Sequence, residues 1–93
     1  MIMKFEWDLQ KADRNLKKHD VSFQEAASVF VDTHSVTYPD PDHSVKENRF
    51  ITVGMARSGR ILIVAHTNRG DSIRIISARK TTRKERRHYE EGE

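Results

Sequence analysis

The residues best equipped for chemistry crowd the last quarter of the chain. Arg74, Arg79, Lys80, Arg83, Arg86 and Arg87 all fall within Asp71–Tyr89, DSIRIISARKTTRKERRHY. Guanidinium forks match phosphate oxygens in pairs and stay charged at any physiological pH, so such a stretch suits an anion. Its first half sets Ile73, Ile75 and Ile76 around Arg74 and reads as a buried strand. Its second half opens on Thr82-Arg83-Lys84-Glu85, a capping box, and reads as a basic helix. A helix reaching back to Arg79 would put Arg79, Arg83, Arg86 and Arg87 at helical spacing, at least three on one face. The bland alternative is a solvated face on which Glu85 and Glu90 pair some of the charge; anion binding is the stronger reading.

Five histidines, His19, His34, His43, His66 and His88, supply candidates for a general base. His66 lies in an apolar run and suits a structural role, whereas His19 follows Lys18 at the end of a helical segment. Asp40, Asp42 and His43 share a Pro-rich loop whose spacing fits no metal site, and turn chemistry accounts for the aspartates. The absence of cysteine removes disulfides, thiolate catalysis and zinc–thiolate sites. Gly54, Gly59 and Gly70 form no phosphate-binding fingerprint. No metal and no cofactor is expected. What Lys, Arg, His and Tyr can do together is cleave RNA without metal. A base takes the 2′-hydroxyl proton, cations hold the charge that builds on the phosphate, and an acid serves the leaving oxygen. Tyr38 or Tyr89 could stack on the bases.

Ninety-three residues are expected to make one domain, 1–93, with one modest core. No apolar run approaches the roughly 20 residues of a membrane helix, and MIMKFEWD lacks the profile of a signal peptide, so a soluble, cytoplasmic protein is expected. Net charge is +3. Residues 1–47 carry six Lys/Arg against nine Asp/Glu, while residues 48–93 carry eleven against five. That segregation is the electrostatic footprint of a nucleic-acid binder.

The elements that must position these groups are legible in outline. Met3–Trp7 alternates apolar and charged residues, the period of a strand. Asp8 caps a helix whose apolar face would be Leu9, Ala12 and Leu16, ending at His19-Asp20. Ser22-Phe23-Gln24-Glu25 is a capping box with Val21 and Ala26 as its staple, followed by an apolar face of Phe23, Ala26, Ala27 and Phe30. Ser35–Tyr38 suits a short edge strand, and Pro39–Ser44 a loop. Arg49–Met55 and Arg60–Thr67 read as strands joined by Ala56–Gly59, and a tight turn at Asn68–Asp71 leads into a third strand, Ser72–Arg79. The last helix spans Arg83–Glu90. The fold class is α+β: a small antiparallel sheet, an N-terminal strand plus a three- to four-strand meander, with two N-terminal helices and one C-terminal helix.

Phe5-Glu6-Trp7-Asp8, Lys11, Asn15, Lys18-His19 and Val21-Ser22-Phe23 with Glu25-Ala26-Ala27 resemble the N-terminal signature of the BrnT toxins. His43-Ser44 and Glu47-Asn48-Arg49-Phe50 with Val53-Gly54 resemble the middle of that family. Arg74–Lys80 with Glu85-Arg86-Arg87 and Tyr89-Glu90 resemble its C-terminal signature. One departure is Asp20, where the family commonly carries glycine. The resemblance implies a type II toxin with a RelE-like fold, a metal-independent endoribonuclease that arrests translation. It also implies a cognate BrnA-like antitoxin as partner, in a 2:2 heterotetramer that represses its own operon. RNA would be the substrate, operator DNA would be met only through the antitoxin, and no membrane is involved. Lys18, His19, Arg74, Arg79 and Tyr89 are the expected catalytic residues, and Arg49, Lys80, Arg83, Arg86 and Arg87 the expected RNA contacts. A non-catalytic RNA- or ribosome-binding module is the alternative that the same basic half would serve. A purely structural or transcriptional partner is less favoured, since no DNA-reading element is evident.

Overall fold

The alternating N-terminal residues form strand β1 (Lys4–Glu6), and Asp8 caps helix α1 (Leu9–His19) by accepting from the Lys11 amide at 2.9 Å. The structure, a computed structural model, describes residues 3–44 and 47–92. Helix α2 (Phe23–Ala27) runs on as a 3₁₀ turn through Val31, and an edge strand, β2 (Val36–Pro39), follows. The meander is β3 (Arg49–Met55), β4 (Ile61–Arg69) and β5 (Ser72–Lys80), and helix α3 (Arg83–Glu91) ends the chain.

The five strands lie in the order β1-β5-β4-β3-β2. Every pairing among β2 to β5 is antiparallel, as short connections require. The expected all-antiparallel sheet differs in one place: β1 pairs parallel to β5, so the sheet is mixed. Its link to β5 runs through most of the chain, and no hairpin constrains its direction. Helices α1 and α2 cover one face. The core there is Val21, Phe23, Ala26, Val29, Leu62, Val64, Ile75 and Ala78, with Phe5, Trp7 and Phe30 packed against it.

Two local expectations are corrected. Of the supposed apolar face of α1 only Ala12 packs against the core, since Leu9 is 79% and Leu16 47% exposed. The residue α1 buries is Asn15, for a reason of backbone accounting. β1 pairs only with Ser72–Arg74, which leaves the outer edge of β5 open beyond that point. The Asn15 amide closes it, donating to the Ala78 carbonyl at 2.8 Å and accepting from the Ala78 amide at 3.1 Å, while also donating to the Val21 carbonyl. The capping box of α2 is only half made. Ser22 Oγ accepts from the Glu25 amide at 3.0 Å, but the Glu25 carboxylate takes Arg60 and Ser58, because a guanidinium outcompetes a neutral amide. The box at α3 is complete, with Thr82 and Glu85 capping each other.

Candidate active site

The sheet face away from α1 and α2 is open, and its pleat decides which side chains share it. Leu62 and Val64 point into the core. Ile63, Ala65 and Thr67 therefore take the open face, since successive side chains alternate. Arg79 pairs with Ile63 and Arg74 with Thr67. In a regular strand Arg74 and Arg79, five residues apart, would face opposite ways. They share a face because the register shifts between Ala65 and His66, leaving Ile76 as an extra residue. The four residue steps along β4 from Thr67 to Ile63 set the two arginines about 13 Å apart along the strand. Arg49 pairs with Thr67 from β3 and falls in the same row as Arg74. On β1, Glu6 pairs with Arg74 and meets its guanidinium at 3.5 Å.

At the other end of this face α3 forms one wall of a groove of about 820 Å³. Val36, Tyr38, Ile51, Val53 and Ile63 make its floor, and Arg79, Glu85, His88, Tyr89 and His34 its polar rim. No residue of α3 is buried; polar clamps hold the helix. At its start Glu85 receives both arms of Arg79, each at 2.9 Å, as well as the Thr82 amide. Those bonds from Arg79 hold the Glu85 carboxyl down at about 2 and raise the guanidinium in turn. Near its end the Tyr89 hydroxyl donates to Asp32, whose carboxylate also accepts from the Met55 and His34 amides. Burial, reinforced by the Asp32 charge, pushes the Tyr89 phenol up to about 12. Tyr89 is thus a proton donor or anchor at neutral pH and cannot act as a base.

On its other side α3 lines a second cleft, of about 850 Å³, walled by Arg60, Lys80, Thr81, Thr82, Arg83, Arg86 and Arg87. Four of the five expected RNA contacts meet here. The fifth, Arg49, lies on the open face. Arg60 is partly committed to Glu25, and Glu90, which also lines the cleft, and Glu91 meet Arg86 and Arg87 at 3.3 and 3.7 Å. These helix pairs are exposed, so the cleft keeps a cationic excess. Lys18 and His19 do not line the groove; they sit at the end of α1, on the helical side. Asp20 connects that end to the basic cleft, its carboxylate 3.8 Å from Arg60 and 4.0 Å from Lys80. The residues expected to form one site therefore fall into two neighbouring ones. Arg49, Arg74, Arg79 and Tyr89 belong to the open face, and Lys80, Arg83, Arg86 and Arg87 to the cleft, with Lys18 and His19 at its margin. The notion of Arg79 as part of a basic helix is corrected: the helix begins at Arg83, and Arg79 is a strand residue clamping it. His34 and His88 stood out only as two of five histidines, and Asp32 was not expected at the site at all. The docking of α3 brings His88 and Tyr89 to the side of the groove where Asp32 and His34 are already bonded to each other.

Residues 7–85 match the model of the ribonuclease toxin BrnT of type II toxin–antitoxin systems. The chain belongs to this BrnT family. Its members are ribonuclease toxins, and a type II system supplies an antitoxin as partner. The crystal structure of the Brucella abortus ribonuclease toxin BrnT superposes with a TM-score of 0.68 at 22% sequence identity, over 88% of this chain and all of the other, and shares its fold. No curated protein matches the sequence. Among the described residues no helix is long and apolar enough to cross a membrane.

Proposed function

We propose that this BrnT-family toxin is a metal-independent endoribonuclease that binds single-stranded RNA across the open sheet face and arrests translation by cleaving it. One observation carries the assignment: the bulge at Ile76 turns Arg74 and Arg79 onto one face with Arg49 and the Tyr89 wall. Arg49 and Arg74 suit a phosphate, Arg79 adds its charge to the face while clamped to Glu85, and the aromatic Tyr38 on the groove floor suits a base. Attack of a 2′-hydroxyl on its own phosphate needs no metal-bound water. It needs a base, charge stabilisation and an acid. The cleft beyond α3 supports the other candidate reading, an RNA- or ribosome-binding module without catalysis, because its cations track a backbone without any nucleophile. Purified protein incubated with RNA in EDTA separates the two. Site-selective cleavage, reduced at least 100-fold in Arg74→Ala with little loss of RNA binding, is the expected result; a salt-sensitive complex with intact RNA would favour the binding module. A BrnA-like antitoxin in a 2:2 complex, repressing the shared operon and supplying all contact with operator DNA, completes the proposal. An exposed, weakly anchored α3 beside an apolar groove suits a chain that keeps a protein partner.

A further inference from the structure

Resting on the ribonuclease reading, we infer that the Asp40–His43 pair is the proton-accepting dyad of the site, placed at the end of a polar row that crosses the open face. The row follows from register alone. Glu6 pairs with Arg74, Arg74 with Thr67, and Thr67 with Arg49. Asp40 continues it, for its amide donates to the Arg49 carbonyl at 2.8 Å, directly after β2 has paired Pro39 with Phe50. Arg49 and Arg74 are two strand spacings apart, about 10 Å between backbones. Thr67 lies between them, fully buried, and its hydroxyl has no hydrogen-bond partner among the described residues. Arg49 and Arg74, one on either side of that covered hydroxyl, make a cradle of two guanidinium groups for a phosphate.

The dyad beside this cradle is built, not incidental. Asp40 Oδ2 lies 3.0 Å from His43 Nδ1. A carboxylate at Nδ1 holds the proton there and leaves Nε2 as the free acceptor, the tautomer a general base needs. Ser44 locks the turn, donating to the Asp40 carbonyl at 2.7 Å and accepting from the Arg49 amide at 2.9 Å. The imidazole is therefore tied to the arginine by a short hydrogen-bonded loop, and it remains largely exposed. None of the other four histidines matches this. His66 is buried towards the helical layer, His34 stands 3.8 Å from its nearest carboxylate, and His19 and His88 have no carboxylate partner among the described residues.

In the step assigned here, His43 Nε2 takes the proton of a ribose 2′-hydroxyl as that oxygen forms a bond to the adjacent phosphorus. The P–O5′ bond breaks, its oxygen takes a proton from water, and His43 later returns its own proton to solvent. The products are a 2′,3′-cyclic phosphate and a 5′-hydroxyl, with no water consumed. Arg49 and Arg74 hold the charge on the non-bridging oxygens.

The test is cleavage of a synthetic single-stranded RNA in EDTA by the purified full chain. His43→Ala and His43→Gln should each lose on the order of 10²–10⁴-fold in kcat, with RNA affinity and melting temperature retained. Added imidazole should restore part of the His43→Ala activity, which a merely structural role would not allow. Asp40→Asn should lose activity and change the pH–rate profile. Among the described residues, the charged groups tied to His43 in that profile are Asp40 and Asp42 on its own turn and Arg49 on β3. If the wild type cleaves and both His43 variants cleave at its rate, the dyad is overturned while the ribonuclease reading stands. If the wild type leaves RNA intact, both fall together.

Discussion

His66 shows how a single buried side chain can make the stability of this protein depend on pH. It is 3% exposed, stacks against Phe50, meets Phe30 edge-on and shares a hydrogen bond of 2.7 Å with Thr52, which bonds Thr37 in turn. Desolvation lowers its pKa to about 4. The charged form is therefore disfavoured in the fold and favoured in the unfolded chain. The stability this contributes is complete above the ordinary histidine value of about 6.5 and is lost as pH falls from there to about 4. The loss amounts to at most about 3 kcal/mol. Melting temperatures taken between pH 7 and 4 should fall in the wild type and fall less in His66→Gln, which can still bond Thr52 but does not titrate. Equal slopes in the two proteins would show that other groups carry the effect.

At the scale of elements, α3 is the piece whose behaviour contacts alone do not settle. Glu85 is its hinge pin, shared between the cap of the helix and the fork of Arg79. With its carboxyl near 2 in the fold, the stability the clamp contributes is complete above the ordinary glutamate value of about 4.5 and is lost as pH falls from there towards 2. Glu85→Gln removes the ion pair at neutral pH while leaving the cation in place. Amide exchange across Arg83–Glu91 should then quicken roughly 5–30-fold, the factor expected for one or two kcal/mol. RNA cleavage should largely survive, because Arg79 is freed, not lost. Arg79→Ala, by contrast, removes clamp and cation together; equal loss of cleavage in both variants would make Arg79 only a support for α3. Sequence pattern revealed this helix, its capping box, the meander and the N-terminal strand, since each is written in neighbouring residues. It did not reveal what is decided by distant partners: the parallel pairing of β1, the use of Asn15 to close an edge, or the bulge that turns Arg74 and Arg79 to one side. A left-handed Asp20, at φ 58°, shows the same limit, for its carbonyl accepts from Arg60 forty residues away. Among the expected site residues, type and neighbourhood were legible, but their division between the groove and the cleft was not. That division depends on where α3 docks.

Across the whole molecule the charge split acquires a direction. The acidic half of the chain supplies β1, α1, α2 and β2, whose carboxylates are partly spent on internal pairs such as Glu25–Arg60 and Glu6–Arg74. The excess cations of the second half gather where β5 hands over to α3. If Lys80, Arg83, Arg86 and Arg87 each neutralise a phosphate of single-stranded RNA, the logarithm of affinity should fall with the logarithm of salt at a slope of about −3, counterion release contributing about 0.7 per contact. Replacing Arg83, Arg86 and Arg87 together by alanine should reduce that slope by about two. The cleft is outside the polar row of the open face, so single-turnover cleavage at saturating protein and low salt should change far less than affinity does. Titrations of a non-cleavable RNA analogue at several salt concentrations, set beside single-turnover rates, provide both quantities. An unchanged slope would remove the cleft from the RNA path, and a collapse of the single-turnover rate would move the chemistry from the sheet to the helix.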